Sequence, residues 1–406
     1  MKNFILISWK SLLNRSFVVG LTITCIALST ALLLTLEKIK DTAEGAFTQT
    51  VSQVDLLVGA RSGQLQLLLF TVFNMGQPTN NVSWESYQYW KKNPAVDWTI
   101  PYSLGDSFRG FRTVATDENF FEHYRYKGNH SIQFKEGKPF EKMSEVVLGA
   151  DAAAELGLHL GAKAIITHGV TQGVGFEHHD GHPFHVCGIL KKTGTAVDRA
   201  VYFSLEDMEA MHMEHPPKGP VPIHDITSFF LRTKNRIEVL KLQRDINDYS
   251  KEPLMAVIPG MVLSELWKNL SYFEVLLKGI SWIVAGFSLI TLLLMMLSSL
   301  ENRRREMTLF RTLGAHLSQI ASFLVLEAVW VSGVGILIGW FLSRVGFLVL
   351  GPLMGDIVGV DSISWGLLPH EILLVSFILV GSILISLIPA VKVSRQVLKD
   401  GLTVKS

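Results

Sequence analysis

Charge is scarce in this chain: 18% of its 406 residues are Asp, Glu, Lys or Arg, and the formal net charge is only +1. A balance so close to zero excludes whole-protein attraction to nucleic acid, so charge has meaning here only locally. Cysteine is nearly absent. Cys25 lies in a long apolar run and Cys187 in a polar stretch far along the chain, which argues against a mutual disulfide and leaves the redox compartment unmarked. The chain has no GxxxxGK[ST] loop to cradle nucleotide phosphates and no HExxH pair, so neither a Walker-type ATPase nor a zincin protease is expected.

Long apolar runs are present. Four of them, 17–36, 279–300, 320–342 and 372–391, reach the roughly 20 residues that cross a bilayer. The first follows Lys2, Lys10 and Arg15 as a signal peptide would, but it is longer than a usual apolar signal core and ends in Leu-Leu-Leu-Thr-Leu-Glu without a small-x-small cleavage site, so an uncleaved anchor is expected. Basic residues collect before the first run, between the second and third (Arg303, Arg304, Arg305, Arg311) and after the fourth (Lys392, Arg395, Lys399, Lys405). The link 343–371 carries Asp356, Asp361 and Glu371, with Arg344 at its start. The positive-inside rule then places both termini and the Arg-rich loop 301–319 in the cytoplasm, and 41–262 outside with the link 343–371. Residues 1–16 read as an interfacial helix in contact with membrane lipid, or as the cytoplasmic end of a long first helix, and 392–406 as a cytoplasmic tail.

Residues 41–262 mix short β-like runs (146–148, 164–167, 184–190, 229–231, 255–258) with helix-like ones (152–156, 204–211, 237–246), and Ser204 with Asp207 makes an N-terminal cap signal. Residues 212–225, with four prolines, read as an irregular loop. The expected fold is an α-helical membrane protein with four transmembrane helices and a large mixed α/β extracytoplasmic domain between the first and second spans. Through 263–278, Leu266, Leu270, Phe273, Leu276 and Leu277 recur at helical spacing without a Gly or Pro, so a stalk helix is expected to enter the second span. Small residues four apart, Gly335/Gly339 foremost, with Ala27/Ala31, Ala328/Ser332 and Ser382/Ser386, suit close helix packing, within the chain or between two copies.

The most specific stretch is Glu301-Asn-Arg-Arg-Arg-Glu-Met-Thr-Leu-Phe-Arg-Thr-Leu-Gly-Ala, in which Arg304, Glu306 and Arg311 interleave with Met307, Leu309, Phe310 and Leu313 and a helix stop falls at Gly314. Such a helix either anchors the span to the inner membrane face or fits a partner's groove. This stretch resembles the ERRREIAxLRxLGA signature of the MacB/FtsX (LolC/LolE-like) ABC transporter permease family. Ile7-Ser-Trp-Lys-Ser-Leu-Leu-Asn-Arg resembles the family's entry helix, Leu326-Glu-Ala its third span, and Pro389-Ala-Val-Lys-Val-Ser-Arg the end of its fourth. The tail departs from the pattern, with Val397-Leu-Lys-Asp-Gly-Leu where the family often has PxExLR.

The resemblance implies a non-catalytic permease of a bacterial inner membrane, paired with a second permease copy (a homodimer or a related heterodimer) and with a separate cytoplasmic ATPase that holds the ATP and Mg. It implies ATPase coupling through Glu301, Arg303, Arg304, Arg305, Glu306, Arg311 and Gly314, with motion passed along the stalk to the outer domain. The work done there would be export or extraction of a lipoprotein or peptide-like cargo, or activation of a periplasmic partner.

Two further features stand apart. Glu327 sits inside the third apolar run, where an ionisable group is costly; a structural hydrogen bond is favoured over proton relay. Histidines crowd the outer domain, most densely in Phe176-Glu-His-His-Asp-Gly-His-Pro-Phe-His, so His178, His179, Asp180, His182 and His185 form a candidate Zn²⁺ site, against a solvated polar hairpin. Metal-linked transport and a membrane-bound zinc hydrolase are therefore the alternative functions. Asp55 to Gly63 and Lys192 to Arg199 read as structural turns with local ion pairs rather than binding surfaces.

Overall fold

The structure is a computed structural model that describes residues 15–50, 52–164, 184–211, 213, 221–302, 316–358 and 369–400. The chain forms two compact units, one holding the membrane-spanning helices and one built from residues 42–270 with a short piece at 352–361.

The second unit is organised by one mixed sheet. In chain order its strands are β1 (Leu56–Ala60), β2 (Val96–Phe108), β3 (Phe111–Thr116), β4 (Phe134–Gly137), β5 (Glu145–Leu148), β6 (Lys163–Ala164), β7 (Phe184–Leu190), β8 (Ala200–Ser204), β9 (Ser228–Thr233) and β10 (Leu254–Val257). Their order across the sheet is β10-β1-β9-β2-β3-β8-β5-β7-β4, with β6 on β7. Pairing is antiparallel except at β8–β3 and β7–β5.

Continuous apolar runs such as Leu56-Leu57-Val58 and Phe229-Phe230-Leu231 suit strands buried on both faces, since successive side chains point opposite ways. Leu56, Val58, Phe229 and Leu231 accordingly join one core, while Leu57 and Phe230 join the other. The first core is closed by Tyr87 and Trp90 of the helix Trp84–Lys91 and by Leu242 and Ile246 of the helix Val239–Asn247. The second is closed by Leu67, Leu68 and Phe70 of the helix Gln64–Phe73, by Phe120 and Phe121 of Glu118–His123, and by Val262 and Leu263.

Neither sheet edge is left as a long apolar template. Gln243 Nε2 donates to the Ala256 carbonyl and Asn247 Oδ1 accepts from its N–H, which occupies the outer side of β10, while β4 is four residues long and carries Lys135 and Glu136. The cap read at Ser204 is formed: its Oγ accepts from Asp207 N–H at 3.0 Å and donates to Asp207 Oδ2 at 2.8 Å.

Among the described residues, four helices are long and apolar enough to span a membrane: α1 (Ser16–Thr50), α2 (Pro259–Asn302), α3 (Leu317–Val358) and α4 (Pro369–Asp400). The stalk and the second span form one helix, α2. One boundary differs from the sequence reading. The link expected over 343–371 is helical at both ends, as α3 runs on to Val358 and α4 begins at Pro369, a residue that suits a helix start because its missing N–H would be unpaired there anyway. Residues 1–14 of the expected interfacial helix, 303–315 of the coupling segment, most of the 212–225 loop and the final 401–406 lie outside the described residues.

Candidate functional site in the spanning helices

The spanning helices pack through small residues. A Cβ placed on Gly335 would lie 2.8 Å from Ile26 Cγ2, and one on Gly339 would lie 2.6 Å from the Ala27 carbonyl oxygen and 2.7 Å from Thr30 Cβ. Glycine at these two positions thus lets α3 approach the α1 backbone, which in lipid supplies dispersion contact that the solvent cannot. Ser288 Oγ on α2 donates to the Cys25 carbonyl of α1 at 3.0 Å, and Thr35 Oγ1 of α1 donates to Ser343 Oγ of α3 at 3.2 Å. Ile26, Leu33, Leu292, Met296, Leu324, Val331 and Ile378, drawn from all four helices, fill the core between them. Glu327 is buried on α3, beside Ala328 and one turn from Leu324 of that core.

Charge concentrates at one level of this unit. Arg344 Nη2 of α3 donates to Glu371 Oε2 of α4 at 2.7 Å, and both side chains are 0% exposed. Lys38 of α1 is also buried and feels the charges of Arg344, Glu371 and Asp41. On α2, Lys278 Nζ lies 2.8 Å from Glu37 Oε1 and 2.7 Å from Glu274 Oε1, and Lys40 Nζ reaches Glu274 at 3.0 Å. All four helices contribute, and the four cations face four carboxylates.

The sequence reading placed Arg344 and Glu371 in an outer link and assigned them no role. The signal that would have found them is that opposite charges flank two consecutive apolar runs: antiparallel neighbours joined by a link bring those ends together.

The remaining expected sites are distributed as follows. Glu301 lies in the last turn of α2, while Arg303, Arg304, Arg305, Glu306, Arg311 and Gly314 lie outside the described residues. His178, His179, Asp180 and His182 do too, and His185 is exposed on β7, its N–H donating to the Ser144 carbonyl at 2.8 Å. Among the described residues no group of His, Cys, Asp and Glu is arranged to hold a metal ion.

Of the two stretches read as turns, 55–63 is mostly the buried strand β1, because its apolar run pairs on both sides within the sheet, and only 192–199 is a locally tied turn. Asp55 Oδ2 accepts from Thr233 N–H and Oγ1, both at 2.8 Å. Asp198 accepts from Thr193 and Gly194 N–H, and burial raises its carboxyl above the usual range against those bonds. Cys187 is free, and burial pushes its thiol up to about 12, which makes it a poor nucleophile.

The outer unit also holds an open cavity of about 920 Å³ walled by Trp84, Phe140 and Val221. Its carboxylates have structural employment. Asp117 caps the helix Glu118–His123 by accepting from Asn119 N–H at 3.1 Å, and burial pushes it up to about 7, opposed by Lys91. Glu118 and Glu206 occupy first helical turns, where the positive end of the helix dipole stabilises a carboxylate.

Four spanning helices packed by glycine and hydroxyl contacts, with a two-core α/β domain inserted after the first, define a multi-pass membrane protein. Residues 19–249 match the MacB-like periplasmic core domain and residues 278–398 the FtsX-like permease C-terminal domain. The chain belongs to the MacB/FtsX-type ABC permease family, whose members work with a cytoplasmic ABC ATPase.

Two solved structures are similar in part. The periplasmic region of MacB from Actinobacillus actinomycetemcomitans has 11% identity, covers 53% of this chain and 94% of its own, and superposes with a TM-score of 0.36. The extracellular domain of the noncanonic ABC-type transporter YknZ from Gram-positive bacteria has 12% identity, covers 50% and 98%, and gives 0.32. No curated protein matches the chain.

Proposed function

We propose that this chain is the permease subunit of an ABC transporter that works by mechanical coupling, with both termini in the cytoplasm and the α/β domain outside. A second permease copy and a pair of ATPase subunits complete the assembly. ATP and Mg belong to the ATPase, and this chain moves its outer domain to export or extract a lipoprotein or peptide-like cargo, or to activate a periplasmic partner. The observation that carries the reading is α2: one helix of 44 residues begins in the second core of the α/β unit at Val262 and Leu263 and ends at Asn302, where the Arg-rich stretch begins. At 1.5 Å per residue it is about 66 Å long, roughly twice the hydrocarbon thickness of a bilayer. In this reading the continuous helix is the element along which motion is passed.

The test is topological and biochemical together. An Asn129→Cys protein is expected to label from outside intact cells, tags at residues 1 and 406 to stay protected, and an ABC ATPase to copurify. Labelling of position 129 from the cytoplasmic side alone would sink the reading.

The histidine density supports a second reading, in which the cargo or its partner is linked to zinc. Purified protein is then expected to take up about one Zn²⁺ through the 178–185 segment, and joint replacement of His178, His179, His182 and His185 to abolish that uptake. Binding should weaken below a pH of about 6.5, because imidazole must be unprotonated to ligate. Weak uptake of several ions that fades gradually as single histidines are removed would mean a polar surface without a site.

A further inference from the structure

We propose that the charged cluster joining the four helices is a releasable clasp: Lys38, Arg344 and Glu371, with the outer tier of Glu37, Lys40, Glu274 and Lys278, holds the spans together in the state seen here and parts when the helices move in the transport cycle. The proposal rests on the reading of the chain as a mechanically coupled permease.

Three observations carry it. First, the cluster links helices that are already held by other means. The α1–α3 contact has Gly335 and Gly339 against Ile26, Ala27 and Thr30, and a common apolar core joins all four helices. A permanent tie needs no more than this, and a buried ion pair adds little net stability because desolvation offsets its attraction.

Second, the cluster is graded from wet to dry. The side chains of Lys40, Lys278 and Glu274 are 36%, 35% and 28% exposed, while those of Arg344 and Glu371 are 0% exposed. The outer tier is open to its surroundings and the inner pair is closed off, so a parting of the helices that admits water hydrates the inner pair and relieves the cost of separating it. An apolar contact at the same depth gains nothing from that water. Charge pairs therefore give a joint with two acceptable states, closed and paired or open and hydrated, where apolar packing has one.

Third, the connections run in series. Glu274 and Lys278 belong to α2, the helix that also enters the α/β core. They pair with Glu37 and Lys40 of α1. Between them in the same turn of α1, Lys38 is buried and lies within electrostatic reach of the Arg344–Glu371 pair of α3 and α4. Displacement of α2 along or about its axis is thereby passed to the other three helices through pairs that can exchange partners, Lys278 being shared between Glu37 and Glu274.

The test uses the full chain with its ATPase in lipid nanodiscs, in a Cys25→Ser, Cys187→Ser background. Thr35→Cys with Ser343→Cys places two thiols where the hydroxyl oxygens now lie 3.2 Å apart, one residue from Arg344. If the clasp opens, oxidation to the α1–α3 disulfide is expected to lower ATP turnover about tenfold and reductant to restore it. Without nucleotide, Arg344→Gln with Glu371→Gln, which removes both members of the pair so that neither is left without the other, is expected to slow formation of that disulfide about fivefold, because the helices then spend less time closed.

A static tie predicts the opposite on both counts: the oxidised protein turns over like the reduced one, and the doubly neutral protein cross-links at the parent rate. That pair of results overturns the clasp. Should the reduced protein support no ATP hydrolysis with a copurified ABC ATPase, the permease reading fails, and the nucleotide-free cross-linking comparison still decides the clasp.

Discussion

Gly339→Leu is expected to be among the most damaging single substitutions in the spanning helices. A Cβ there meets the Ala27 carbonyl at 2.6 Å, and that oxygen belongs to the α1 backbone, which cannot swing aside as a flexible side chain would. Relief requires α3 to move away from α1, which forfeits the Ile26 and Thr30 contacts along the seam. Overpacking typically costs about 1–3 kcal/mol, and the larger end applies where the obstacle is backbone. The unfolding midpoint of the detergent-solubilised protein is expected to fall by about 5–10 °C, on the scaling for a domain of comparable size.

Gly333→Leu and Gly346→Leu are the controls. A Cβ at either position meets no atom within 4 Å, so both are expected to melt near the parent. Equal losses at 333 and 339 would mean that helix propensity or expression, rather than the α1–α3 seam, sets the result.

The second large effect is expected at the cytoplasmic end. Arg304→Glu with Arg311→Glu reverses two charges on the stretch that follows α2, leaving Met307, Leu309, Phe310 and Leu313 in place. A helix that docks in an ATPase groove loses its charge complementarity, and like-charge juxtaposition costs several kcal/mol, so cargo-coupled ATP turnover should fall about tenfold or more. Insertion is expected to survive, because Arg303, Arg305 and the C-terminal basic residues still mark the cytoplasmic side. Copurification measures docking, and turnover in nanodiscs measures coupling. If both remain at parent levels, the stretch serves only as a lipid anchor.

Local patterns made much of this protein legible. The four spans show as apolar windows with mean hydropathy between 2.0 and 2.7, a property of consecutive residues that needs no knowledge of their neighbours in space. The Ser204–Asp207 cap and strands β5, β7, β9 and β10 were visible for the same reason. The helix Glu118–His123 was not. It is six residues long, too short for a helical period to accumulate, and Phe120 and Phe121 are as compatible with a strand. The 13-residue strand β2 is not legible in the sequence either, since Pro101 and Gly105 interrupt its pattern.

At the candidate site the division is sharper. Gly335 and Gly339 are visible as a spacing, yet the sequence does not say whether that face meets another copy or the chain's own α1; the structure turns it onto Ile26 and Ala27. Arg344 and Glu371 read separately as flanking charges of a water-exposed link. Only the antiparallel packing of α3 on α4 makes them one buried pair at 2.7 Å.

The sequence by itself determined the number of spans, their orientation signals and the place of the inserted domain, because burial in lipid depends on runs of adjacent residues. Tertiary structure decided the order of strands in the sheet, the partner of each glycine and the pairing of the charges. Those depend on which distant segments meet, and the energy of such a contact is carried by neither segment alone.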